Sequence, residues 1–153
     1  MEYTEAHKPA MKFVGYGVNT SMQNAGQDCP GVWSTFMKNY KGIENYIGGM
    51  KNYGVVTNAD SKECTFRYIA SAEVSEFGDM PEGSEKIEIP ESDYLIFIHR
   101  GKLETLGNTY GSIMEDIPRL GKRQRTDFWV ELYDKRWTGD KDEAEFEIWI
   151  PVE

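Results

Sequence analysis

In the stretch FWVELYDKRW, residues 128–137, strict alternation predicts a strand with Phe128, Val130 and Leu132 on one face and Trp129, Glu131 and Tyr133 on the other. The second face carries a carboxylate with a large ring two residues away on each side. A carboxylate in a low-dielectric site prefers to be neutral unless something pairs with it. A cation arriving over the neighbouring rings would restore the charged form and gain cation–π contacts of about 0.5–2 kcal/mol each. The plainer reading is a Glu on an open strand face, paired across to Lys or Arg. A third is general acid or base chemistry at Glu131 towards a strained electrophile, with Tyr133 orienting water.

Other rings could wall the same site. Trp129 and Tyr133 share the Glu131 face by period, and Trp149 lies on the odd face of the terminal strand with Glu145 and Glu147. Trp33 and Tyr40 lie on a helical stripe and are expected to contribute part of the wall, because a long ring with a polar edge is a wasteful filler for a dry core. Cys29, at a predicted helix start, is a weak candidate nucleophile: a helix dipole can lower a thiol pKa, but packing or capping is the favoured role. His7 and His99 are the only histidines and no carboxylate cluster has ligand spacing, so neither a metal nor a cofactor is expected. Lys122, Arg123 and Arg125 form one basic cluster, read as a solvated loop.

The elements that must position these residues follow from periodicity. Residues 11–20 alternate as a strand. DCPGVWSTFMKNY, 28–40, has a helix-start signature with Asp28 or Cys29 as cap and Pro30 in the first turn, followed by Trp33, Phe36, Met37 and Tyr40 at helical spacing. Strands follow at 53–58 and 64–75, then a Gly, Pro and acid-rich linker at about 77–85. The second half repeats the order: a strand centred on Tyr94 to His99, a helix carrying Leu106, Tyr110, Ile113, Met114 and Ile117 and stopping at Pro118, then strands at 128–133 and 144–152. Both halves read β-α-β-β. The expected fold is α+β: one domain over 1–153, with repeats at about 8–76 and 86–153 forming a curved, pseudo-twofold antiparallel sheet of about eight strands under two main helices.

Composition narrows the partners. A chain of 153 residues can bury roughly 70% of its extended surface and fold without staples. Its 26 Asp and Glu against 17 Lys and Arg, a net charge of −9, work against a nucleic-acid backbone and favour cationic partners. Two cysteines outside any CxxC spacing, an acidic N-terminus and the lack of an apolar run of ~20 residues lead to the expectation of a soluble, cytoplasmic protein without membrane contact.

The second half resembles the GyrI-like small-molecule-binding domain, also called the AraC-type effector-binding domain. The resemblance runs through IPESDYLIFIHRG, NTYGSIMEDIPRLG, FWVELYDKRW and EFEIWIPV, in that order, from Ile89 to Val152. It implies a duplicated β-α-β-β unit with a cleft at the pseudo-twofold centre, and Glu131 as the buried acid that meets cationic, aromatic compounds. Many relatives carry a helix-turn-helix module for transcription regulation beside this domain. Here the domain uses the whole chain, so the expectation is a stand-alone, broadly specific binder of hydrophobic cations through Glu131, Trp129, Tyr133, Trp149, Trp33 and Tyr40, without direct nucleic-acid binding. A protein partner or a homodimer stays open. Some stand-alone relatives hydrolyse reactive xenobiotics, so the rival expectation is a hydrolase using Glu131 as acid or base and Tyr133 beside it.

Overall fold

A computed structural model describes residues 1–153. Its elements are β1 (Tyr3–Lys8), β2 (Met11–Ser21), α1 (Ala25–Asn39), β3 (Asn52–Asp60), β4 (Thr65–Val74), β5 (Glu85–Ile89), β6 (Ser92–Arg100), α2 (Leu106–Arg119), β7 (Phe128–Tyr133) and β8 (Glu145–Val152). All eight strands join one antiparallel sheet in the order β1-β6-β8-β7-β3-β4-β2-β5. The order is symmetric about the central pair β3–β7: β6, β8 and β7 on one side mirror β2, β4 and β3 on the other. The count of about eight is reached by one strand per half that the β-α-β-β reading leaves out. These are β1 and β5, and each crosses over, β1 pairing with β6 and β5 with β2.

Alternation within the strands gives the sheet two apolar faces. On one, α1 buries Val32 and Phe36 against Val14, Tyr16, Val56, Tyr68, Ala70 and Ala72. On the same face, α2 buries Ile113 and Ile117 against Leu95, Phe97, Phe146, Ile148 and Ile150. The helices therefore cover the two flanks of the sheet and leave the central pair β3–β7 between them. The opposite face is closed by rings: Phe13 to Tyr53 at 5.0 Å and Tyr53 to Trp149 at 5.8 Å each reach over an intervening strand, and Tyr94 of β6 meets Trp149 of the neighbouring β8 at 5.6 Å.

Both helix ends differ from the sequence expectation. The turn after β2 winds directly into α1, with the Gln27 and Asp28 N–H groups donating to the Asn24 carbonyl, so the helix begins a turn early. Asp28 accepts the Thr20 hydroxyl at 2.8 Å instead of capping, and Pro30 lies inside the helix. In α2, Pro118 belongs to the last turn, and the Leu120 N–H closes the end on the Asp116 and Ile117 carbonyls.

Candidate functional site

Glu131 is held on β7 at the centre of the sheet, on the face between the helices, and is only 3% exposed. Three phenols converge on it. Tyr68 of β4 and Tyr133 of β7 reach Oε1, each at 3.0 Å, and Tyr110 of α2 reaches Oε2 at 2.6 Å. The Tyr68 oxygen itself accepts the indole N–H of Trp33, on α1, at 2.9 Å. That contact leaves the Tyr68 proton free to point at the carboxylate, so the chain of donors runs from Trp33 through Tyr68 to Glu131. Both helices are thus tied to one acid, α2 directly and α1 through a relay.

The electrostatics are a contest between burial and these donors. Burial raises the Glu131 pKa above the ordinary carboxylate range, while the Tyr110, Tyr133 and Tyr68 hydroxyls, and then the charge of His99, pull it back. Desolvating a carboxylate costs several kcal/mol, and hydrogen bonds to a charged group contribute about 1.5–3 kcal/mol each. Three such bonds offset part of that cost, and burial keeps the larger share, so the pKa stays raised. Burial, and next the Glu131 charge, drive all three phenol pKa values well above 10, which keeps them protonated donors.

The structure brings four of the six candidate residues together. Glu131 and Tyr133 bond directly; Trp33 closes edge-on against Tyr133 at 5.3 Å; Trp129 lies between the α1 and α2 clusters, 6.3 Å from Tyr110. Tyr40 sits at the far end of the α1 stripe, stacked on Phe36 at 5.8 Å. Trp149 is separated from Glu131 by the sheet: the register pairs Glu131 with Ile148, so Trp149 joins the opposite core and donates its indole N–H to Glu147 at 2.7 Å. Cys29 lies inside α1 rather than at its start. Burial, then the charges of Glu131 and Asp28, push its thiol up to about 12, the reverse of activation. Lys122, Arg123 and Arg125 pair with Glu5, Glu153 and Asp127.

Tyr68 and Tyr110 were not singled out from the sequence, although each carried a faint signal. Tyr110 is the one hydroxyl-bearing residue in the stripe Leu106, Tyr110, Ile113 and Ile117, and Tyr68 alternates with Ala70 and Ala72, whose small side chains leave room beside it. Two open cavities lie elsewhere. One, of about 460 Å³, is lined by Asn19, Thr20, Asp28, Asn58 and Arg67 among others, and one of about 320 Å³ lies along β1 and β6. Glu131 instead lies under its own tyrosines.

The pseudo-symmetric antiparallel sheet under two helices is the GyrI-like effector-binding fold that the Ile89–Val152 motifs implied. Residues 6–152 match the family described as Cass2, integron-associated effector binding protein, and the chain belongs to that family. It is similar to the transcriptional regulator BrlR of Pseudomonas aeruginosa, at 25% identity over 149 residues, which are 95% of this chain and 53% of the regulator. The chain thus spans about half that relative's length. Among solved structures, SAV2435 bound to tetraphenylphosphonium has a TM-score of 0.75 at 18% identity, over 100% of this chain and 94% of that one. The integron cassette protein VCH_CASS2, from the mobile metagenome of Vibrio cholerae, has a TM-score of 0.68 at 17% identity, over 99% and 95%.

Proposed function

We propose that this protein binds hydrophobic organic cations, with Glu131 as the charge-selecting acid and Trp33, Trp129, Tyr68, Tyr110 and Tyr133 as the surrounding wall. One observation carries the reading: a carboxylate 3% exposed, in an aromatic setting, with no Lys or Arg hydrogen-bonded to it. A structural acid at this depth would be expected to have a fixed cationic partner. Here only neutral phenols bond to the carboxylate, and a ligand cation supplies the missing counter-charge. The tetraphenylphosphonium complex of SAV2435 supports the ligand class by analogy of fold. Because the phenols occupy the space above the acid, a ligand has to move them to enter. Oε1 already accepts two donors and Oε2 one, which leaves few acceptor positions for an N–H-rich amine. Delocalised cations that need no hydrogen bonds are the better fit. Cys29 and Cys64 are free thiols, consistent with a reducing cytoplasm, and no helix is long and apolar enough to cross a membrane.

Calorimetric titration of wild type and Glu131→Gln with tetraphenylphosphonium and with neutral triphenylphosphine oxide tests this. The cation is expected to lose about 2–5 kcal/mol in the variant and the neutral compound almost nothing. Equal losses for both would make Glu131 a structural residue. Thermal melts of the empty proteins add a linkage check. A carboxyl whose folded pKa is raised contributes stability that is fully present below its unfolded value, near 4.5, and is lost as pH rises through the folded value. Glu131→Gln should therefore gain on wild type as pH climbs through that window.

A further inference from the structure

In the β3–β7 ladder, Gly54 is the residue directly across from Glu131. Tyr68 is on β4, beyond β3, and its ring reaches the acid by passing over Gly54. A Cβ placed on Gly54 would fall 2.3 Å from the Tyr68 hydroxyl oxygen, 2.7 Å from Cζ and 3.1 Å from Cε2. No side chain fits there without pushing the phenol away. Neither the ring nor the acid can give much, because Tyr68 is 4% exposed and fixed by the Trp33 indole. The empty position on β3 and the acid on β7 are therefore two parts of one arrangement.

We propose that Gly54 is a positioning residue for ligand selection: its missing side chain admits Tyr68 to Glu131 and so sets how strongly the site prefers a cation to a neutral ligand of the same shape. The proposal rests on the cation-binding reading above. Its physical content is the number of donors on the carboxylate. With Tyr68 in place, three phenols oppose the burial that raises the Glu131 pKa. With two, burial gains on the donors, and part of the cation's binding energy goes into removing a proton. The groups facing Glu131 are Tyr68 from β4, Tyr110 from α2, Tyr133 from β7, Cys29 from α1 and His99 from β6. The phenols and the thiol stay protonated near neutral pH. His99 is common to all the variants below.

The test is the pH profile of tetraphenylphosphonium affinity for wild type, Gly54→Ala and Tyr68→Phe, with triphenylphosphine oxide as the neutral control. Both variants should lose affinity for the phosphonium roughly ten-fold on the acid side of the profile, and the loss should shrink as pH rises. The neutral compound should show no such slope. Tyr68→Phe keeps Gly54 and the ring and removes only the hydroxyl, so it decides the matter if Gly54→Ala does not fold. A loss that is the same at every pH, or a wild-type profile in Tyr68→Phe, overturns the role of Gly54 while leaving cation binding intact. Failure of wild type to bind the phosphonium sinks the underlying reading instead.

Discussion

At the scale of single residues, the site is defined by where protons are held. Trp33 gives its N–H to Tyr68, Tyr68 gives its proton to Glu131, and Tyr110 and Tyr133 also donate to the acid, so all three phenol protons are spent on it. Cys29 sits in the same desolvated surroundings with the carboxylate as a neighbour. Its thiol, pushed up to about 12, leaves a thiolate fraction of only ~10⁻⁴ at pH 8, against a few tenths for a free cysteine. In a Cys64→Ser background, Cys29 is expected to alkylate with iodoacetamide roughly a thousand-fold more slowly than a model peptide. Mass spectrometry of timed samples measures this. Labelling at the peptide rate would place the thiol outside the site and weaken the description of the acid's surroundings with it.

At the scale of elements, the helices are built weakly for their position. Each contains two glycines and an internal proline: Gly26, Gly31 and Pro30 in α1, Gly107, Gly111 and Pro118 in α2. A Cβ at Gly31 or Gly111 would touch nothing within 4 Å. Each Gly→Ala change should stabilise by about 0.5–1 kcal/mol, or roughly 2–4 °C per kcal/mol in the melting temperature of a chain this long. Thermal melts of Gly31→Ala, Gly111→Ala and the pair check this; a lowered midpoint would mean that the helix backbone is bent at these positions. The positions of both helices were legible because their apolar spacing is long and regular. Strands β1 and β5 were not: YTEAHK and EKIEI are short, charged edge segments, and β1 has no fully buried side chain to show as a period. Alternation placed Glu131, Trp129 and Tyr133 on one face correctly, since that depends on one strand alone. It could not place Trp149 relative to them, because the register between β7 and β8 decides which faces coincide, and a shift of one residue inverts the answer. For the same reason Tyr68, 63 residues from Glu131, and Tyr110, 21 residues away, became donors only once the sheet was assembled.

At the scale of the whole molecule, the crossed strands make the two halves depend on each other. Each half contributes its first strand to the other's flank, the halves share the central β3–β7 pair, and Glu131 of the second half is bonded by Tyr68 of the first. Cutting the exposed loop between β4 and β5 would leave β2 without β5, β6 without β1, and β3 and β7 each with an open edge. Neither fragment could then cover its apolar faces, and each would carry unpaired strand edges of the kind that invite aggregation. The loop itself costs little to open, because closing ten or so residues is a small entropic term beside the burial across the central pair. Fragments 1–79 and 80–153 made separately are therefore expected to lack the near-ultraviolet dichroism of packed rings. Mixed or co-expressed, they should regain it, together with phosphonium binding. A native-like spectrum from either fragment alone would show that one β-α-β-β unit is a self-sufficient fold, and that the crossed strands decorate the sheet without holding it together.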